Sequence, residues 1–206
     1  MRSRLEHLLR DFVACSLAGR VTPAARIAAD YAAAQHPGDA ATSAFDGRPL
    51  SATGAAWANG VLANALDFDD GHRLCKGHPG ANVIPAALAV AESVRASPDE
   101  LRRAILLGYE VAIRAGVALH ARSAEYHASG AWGALGAAAA AGTLLGLDDE
   151  RMRYALGLAD ALRREPRLGK RRGPGRARRP GVERDRGREA RALRRRAAPL
   201  AATRTG

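Results

Sequence analysis

Three features of the sequence predict an all-α fold. Apolar residues recur at helical spacing through residues 1–162, and no convincing strand pattern interrupts them. Helix starts are marked by side chains that satisfy free backbone N–H groups, as at Thr22-Pro23 and Ser97-Pro98-Asp99-Glu100. Hydrophobic residues make up 47% of the chain but aromatics only 4%, so alanine carries much of the apolar content. A core of such small side chains has little volume per residue, and its helices must approach closely. The expected organisation is a helical domain over 1–162, built of close-packed Ala/Gly-rich helices, followed by a disordered Arg-rich tail over 163–206.

The elements follow in order. Ser3-x-x-Glu6 reads as a capping box, and Leu5, Leu8, Leu9, Phe12, Val13 and Leu17 then keep helical spacing up to Gly19. Thr22 caps a second helix, with Pro23 at its first position, and His36-Pro37-Gly38 ends it. Asp46-Gly47 and Pro49 mark turns. Ser51 to Leu66 is an alanine-rich helix whose larger apolar groups are Trp57, Val61 and Leu62. Pro79-Gly80 fixes a turn before a helix over Ala81–Arg95, in which Pro85 is expected to fall in the first turn. Ser97 opens a helix running to about His120. Gly108 and Gly116 within it cost about 1 kcal/mol each relative to alanine, which points to a neighbour that comes close. Ala131 to Leu147 is nearly all Ala and Gly around Trp132, and Gly146 is its expected stop. Asp148, Asp149 and Glu150 then place negative charge at the N-terminus of a last helix, Arg151–Leu162, where the helix dipole favours it.

Charge divides the chain at the same point. Residues 1–162 hold 15 basic and 17 acidic side chains, net −2, and residues 163–206 hold 17 and 4, net +13. The tail lacks an apolar period and cannot bury enough surface to offset chain entropy. Its Arg, Gly, Pro and Ala content is also what GC-rich coding sequence yields out of frame, so a loss of reading frame near Asp160–Arg163 is one expectation. Such a tail can act as a nonenzymatic nucleic-acid-binding module, salt-sensitive and blind to sequence, because it offers no aromatic for stacking and no folded motif. No specific nucleic acid is expected as a partner of the globular part. Cys15 and Cys75 do not make a disulfide framework. Arg10 and Asp11 interrupt the first apolar run, and the uncharged stretch Gly130–Leu147 is only weakly apolar and short for a membrane span. The expectation is a cytoplasmic protein with no membrane partner.

The chemistry concentrates in one stretch, Asn64 to Asn82, NALDFDDGHRLCKGHPGAN. It holds Asp67, Asp69, Asp70, His72 and His78 on a connection between two helices, where functional loops sit on a rigid scaffold. Were the helix to continue, Asp67 and Asp70 would share a face and Asp69 would point elsewhere. His72 and His78 are too far apart for one helical face, so a loop must bring them together. Four readings compete: a solvated acidic loop, a divalent metal site, a catalytic thiol at Cys75, and metal-free acid/base chemistry by imidazole and carboxylate. His127, in Tyr126-His127-Ala128-Ser129-Gly130, stands before the small-residue helix and is a further proton-transfer candidate.

Taken together, ANALDFDDGH, GHPGANVIPAALAVAE, GYEVAIRAG, YHASGAWGALGAAAAAGTLLGL and ALGLA resemble the MmgE/PrpD family, in its order and at about its spacing, over about residues 3–160. The resemblance implies an all-helical larger domain and a lyase, most like 2-methylcitrate dehydratase, with cis-aconitate decarboxylase-like or epimerase-like chemistry as the alternative. It implies no metal and no cofactor, a di- or tricarboxylate substrate, and a homodimer. It places Asp67, His78 and His127 as catalytic groups, with Asp70, Gly71, His72 and Ser129 at the substrate. Gly71 falls where many members have Thr. The family's lysine-bearing basic segment and its second domain have no counterpart here, so little or no activity is expected of this chain.

Overall fold

The computed structural model describes residues 2–122 and 129–162, which fall within one compact unit, Met1–Glu165. It is all-helical apart from one short hairpin. The elements are α1 (Arg2–Gly19), α2 (Pro23–Gln35), β1 (Ala41–Thr42), β2 (Pro49–Leu50), α3 (Ala52–Asn64), α4 (Gly80–Val94), α5 (Pro98–Arg122), α6 (Gly130–Leu144) and α7 (Asp149–Leu162). The predicted tail lies outside the described residues.

Most of the predicted starts and stops are present. Thr22 accepts a hydrogen bond from the Ala25 N–H at 3.2 Å, and Ser51 does the same for Gly54 at 3.2 Å. At α5 the capping box closes in both directions: Glu100 Oε2 accepts from the Ser97 N–H at 2.7 Å, and Ser97 Oγ accepts from the Glu100 N–H at 3.3 Å. Asp148 accepts from the Arg151 N–H at 2.8 Å and so caps α7. Gly146 ends the α6 segment with φ +65°, a left-handed conformation suited to glycine. Ser3 is different. The helix already begins at Arg2, so Ser3 sits inside its first turn. Pro85 also falls deeper than expected, six residues into α4. Its missing N–H frees the Ala81 carbonyl. Gly60 of α3 packs beside that carbonyl, where a Cβ would stand 3.0 Å from the oxygen.

The hairpin was not legible as strands because each is only two residues long, pairing Ala41 with Leu50 and Thr42 with Pro49. It is held by side chains from the helices. Asn59 of α3 accepts from the Ala44 N–H at 2.8 Å and donates to the Thr42 carbonyl at 3.0 Å, while Glu92 of α4 accepts from the Thr42 N–H at 3.0 Å.

The core lies where α4, α5 and α6 meet, around the fully buried Trp132, Val83, Ile84 and Ile105. Close approach is paid for with glycine. A Cβ on Gly136 of α6 would stand 2.5 Å from the Gly108 carbonyl of α5 and 2.6 Å from the Ala112 Cβ. By length and composition α5 is apolar enough to cross a membrane, yet it is packed on α6 and α4 here. α7 rests on α6 and buries none of its residues, leaving Tyr154, Leu158 and Leu162 exposed.

Candidate active site

The loop between α3 and α4 is assembled from backbone turns and a few buried side chains. α3 stops at Asn64, so Asp67 and Asp70 do not share a helical face. Asp67 itself takes φ +52°, which a continuing right-handed helix does not allow. Further on, the His72 N–H donates to the Gly77 carbonyl at 2.9 Å and the Lys76 N–H to the His72 carbonyl at 2.9 Å. This tight return pairs the backbone of His72 with that of Gly77, the residue before His78. Cys75 anchors the turn from beneath. It is fully buried, with Sγ 3.1 Å from His72 Nδ1 and 3.4 Å from the Ile113 carbonyl of α5. Gly116 leaves it room, since a Cβ there would stand 2.9 Å from the Cys75 Cβ. Burial pushes the Cys75 thiol above its ordinary range, so it stays protonated.

His78 is the best-held group of the loop. Its N–H donates to Ser129 Oγ at 2.8 Å and its carbonyl accepts from Asn82 Nδ2 at 3.1 Å. The ring lies between two carboxylates. Nε2 is 3.1 Å from Asp67 Oδ1. Nδ1 is 3.0 Å from the Asp69 main-chain carbonyl and 3.4 Å from Asp69 Oδ1. The two aspartates differ sharply, for the Asp67 side chain is 82% exposed and that of Asp69 only 2%. Asn64, the last residue of α3, donates to Asp69 Oδ1 at 2.7 Å, and Asp69 Oδ2 is buried without a hydrogen-bond partner in the protein. Burial raises the Asp69 carboxyl above its ordinary value, partly offset by Asn64 and His78.

Asp70, expected at the substrate, has both oxygens engaged inside the protein. Oδ1 accepts from the Gly80 N–H at 2.8 Å, at the start of α4, and Oδ2 accepts from the Tyr109 hydroxyl of α5 at 3.0 Å. It ties the loop to the start of α4 and to α5. Burial is again the largest cause raising its carboxyl, opposed by the Gly80 and Tyr109 hydrogen bonds. Tyr109 is held well above the ordinary phenol value by burial and by the facing Asp70 charge.

Ser129, the residue before α6, is half-buried and spends its hydroxyl on His78, while no side chain caps α6. Gly71 is exposed and a Cβ there meets nothing within 4 Å. His72 is half-buried, with its ring against Cys75 and not against His78. His127 lies outside the described residues. Among those described, the structure thus gathers Asp67, His78 and Ser129, and it adds Asn64, Asp69, Asn82 and Tyr109, which the sequence reading did not select. The helix model set Asp69 aside, and Asn64, Asn82 and Tyr109 carry no pattern of their own. Two cavities, of about 460 and 360 Å³, lie elsewhere, the first beside Arg95, Glu100 and Arg103 and the second beside Tyr31 and Trp57. The loop lines neither, and its Asp67 face is open to solvent.

The loop thus holds an imidazole clamped at the backbone and flanked by carboxylates. The model of the MmgE/PrpD N-terminal domain matches residues 1–168, and the chain belongs to the MmgE/PrpD family. Among curated relatives, it is 32% identical over 166 residues to a cis-aconitate decarboxylase of Homo sapiens, covering 76% of this chain and 34% of the relative. It is 31% identical over 167 residues to the cis-aconitate decarboxylase-like protein oryM of Aspergillus oryzae, with the same 76% and 34% coverage. To a cis-aconitate decarboxylase of Aspergillus terreus it is 28% identical over 164 residues, again at 76% and 34%. The chain therefore spans about a third of the length of these relatives.

Proposed function

We propose that this chain carries the N-terminal part of a lyase site that acts on a tricarboxylate by acid/base chemistry, with Asp67, His78 and His127 as its reacting groups. The observation that carries the reading is the clamp on His78. One hydrogen bond, from its N–H to Ser129 Oγ at 2.8 Å, joins the Asp67–His78 loop to the start of α6. His127 precedes Ser129 by two residues in the sequence. The names of the relatives favour decarboxylation over the dehydration of 2-methylcitrate that the sequence resemblance put first, so cis-aconitate is the first substrate to test.

The proposed roles follow from what each group can do. In a decarboxylation the bond from the carboxylate carbon to the chain breaks, carbon dioxide leaves, and the electron pair stays on the carbon framework. An imidazole N–H then delivers a proton to that carbon. In a dehydration, an imidazole takes a proton from carbon and the hydroxyl leaves with a proton as water. Histidine suits both directions near neutral pH. Negative charge develops on the substrate in either case, and fixed donors must face it. Asp67, exposed and facing Nε2, occupies that nitrogen until substrate arrives. Asp70 holds the loop in place. Gly71 and His72 are the proposed substrate contacts, and Ser129 acts by holding His78.

The test is a ligand titration of the purified chain, with histidine ring signals followed by NMR. cis-Aconitate and 2-methylcitrate are added separately, with a monocarboxylate as control. Tricarboxylates are expected to perturb His78, and His78→Gln to remove the response elsewhere in the loop. Turnover of cis-aconitate by this chain is expected to be very low. Equal responses to the monocarboxylate, or none to any tricarboxylate, would overturn the reading.

A further inference from the structure

We propose that Asp69 is the positioning residue of His78: it fixes the ring through Nδ1, leaves Nε2 as the one nitrogen that exchanges protons, and makes Asp67 a displaceable partner. The inference deepens the lyase reading, because it says which atom of His78 works and what holds it.

The argument begins with what a carbonyl can do. The main-chain oxygen of Asp69, 3.0 Å from Nδ1, accepts hydrogen bonds and has no proton to give. Nδ1 must therefore be the donor. Asp69 Oδ1, at 3.4 Å, presents a second acceptor to the same nitrogen. Asp67 Oδ1, 3.1 Å from Nε2, is a partner only to the doubly protonated ring; when the ring gives up a proton it keeps the one on Nδ1, and its lone pair sits on Nε2.

The holding group is rigid and the facing group is not. Asp69 is 6% exposed, and its Oδ1 is fixed by Asn64 at 2.7 Å, at the last residue of α3. The main chain of His78 is tied on both sides, to Ser129 and Asn82. Asp67 contrasts on each count: its side chain is 82% exposed and, among the described residues, meets Nε2 alone. A substrate carboxylate can take its place without disturbing a buried contact. The pattern of donor, buried carboxylate and imidazole is the orienting logic of catalytic histidines in general.

The experiment is long-range ¹H–¹⁵N correlation of the histidine rings in the whole chain, with His78 assigned from His78→Gln. It does not depend on turnover or on ligand binding. In the unsubstituted protein the neutral His78 ring should show the Nδ1–H pattern, and its ring proton should exchange with water at least tenfold more slowly than that of the exposed His7. Asp67→Ala should leave both signatures in place. Asp69→Ala keeps the main-chain acceptor 3.0 Å from Nδ1, so the Nδ1–H pattern should persist while most of the protection is lost with Oδ1 and its tie to Asn64; Asp69→Asn, which keeps a side-chain acceptor, should retain the protection. An Nε2–H ring in the unsubstituted protein would overturn the assignment even if Asp69→Ala does not fold. So would a tautomer that changes with Asp67→Ala, or a protection that Asp69→Ala leaves intact. Tricarboxylates that fail to perturb an Nδ1–H ring would refute the lyase reading alone.

Discussion

Removing one hydroxyl should show how the loop is fastened. Tyr109→Phe deletes the donor that reaches Asp70 Oδ2 at 3.0 Å and leaves the ring, 8% exposed, in place. No cavity forms, so the change isolates a hydrogen bond to a charged acceptor. Such bonds contribute about 1.5–3 kcal/mol, and about 2 kcal/mol is expected here at pH 7 because Asp70 keeps its Gly80 partner. At 2–4 °C per kcal/mol for a domain of this size, the melting point should fall by about 4–8 °C. The pH dependence is the sharper measurement. The folded Asp70 carboxyl lies above its ordinary value of 3.8, chiefly through burial. A raised carboxyl binds more protons folded than unfolded, so its contribution is greatest below 3.8 and is lost as pH rises through the folded value. Tyr109→Phe removes a group that lowers Asp70, moving the folded value further up and enlarging the loss at neutral pH. Once Asp70 is protonated, the lost bond is between neutral groups and the cost should shrink to about 1 kcal/mol. Urea denaturation of both proteins from pH 7 downward, with hydrogen exchange at the Gly80 amide, measures this. A cost that does not vary with pH, or Gly80 protection unchanged, would refute the anchoring role of Asp70.

Other outcomes follow from the same geometry. Asp69→Asn should raise stability at neutral pH, because burial holds the Asp69 carboxyl above its ordinary value with Asp11 adding to the shift and His78 opposing it; the gain should vanish below about pH 3.8 in parallel melts. Gly71→Thr should change the unfolding free energy by less than about 0.5 kcal/mol, since a Cβ there meets open space, and should tighten tricarboxylate binding in a titration if the hydroxyl faces the substrate. Gly136→Val should cost more than about 3 kcal/mol and lose the cooperative transition, because the Gly108 carbonyl and Ala112 occupy the space its side chain needs. Binding of the chain to nucleic acid, measured by anisotropy, should fall steeply with salt and disappear on deleting residues 163–206; binding that survives the deletion would rule out a tail-based mechanism.

The helices were legible because their signals are local. A cap, a proline at the first turn and a glycine after the last each act within four residues, and at Thr22, Ser97 and Gly146 the structure uses them as read. The hairpin was hidden because two-residue strands carry no period, and its partners, Asn59 and Glu92, lie on distant helices. The loop was legible as a concentration of reactive side chains and not as a geometry. Treating it as a helix extension put Asp67 and Asp70 together, whereas the chain turns at Asp67 with φ +52° and assigns each aspartate its own task.

That division of labour also explains why three neighbouring carboxylates are tolerable. Asp70 is satisfied by a helix N-terminal N–H and a phenol, Asp69 by an amide and an imidazole, and Asp67 by solvent and the other side of the same imidazole. Each meets a different donor, so mutual repulsion is met locally and not by neutralising the whole cluster. Depth sets the order of roles. The buried Asp69 and the half-buried Asp70 fix the ring and the loop, and the exposed Asp67 is left free to move. A site that binds and releases an anion needs that asymmetry, because a carboxylate held as firmly as Asp69 could not give way to a substrate that carries the same charge.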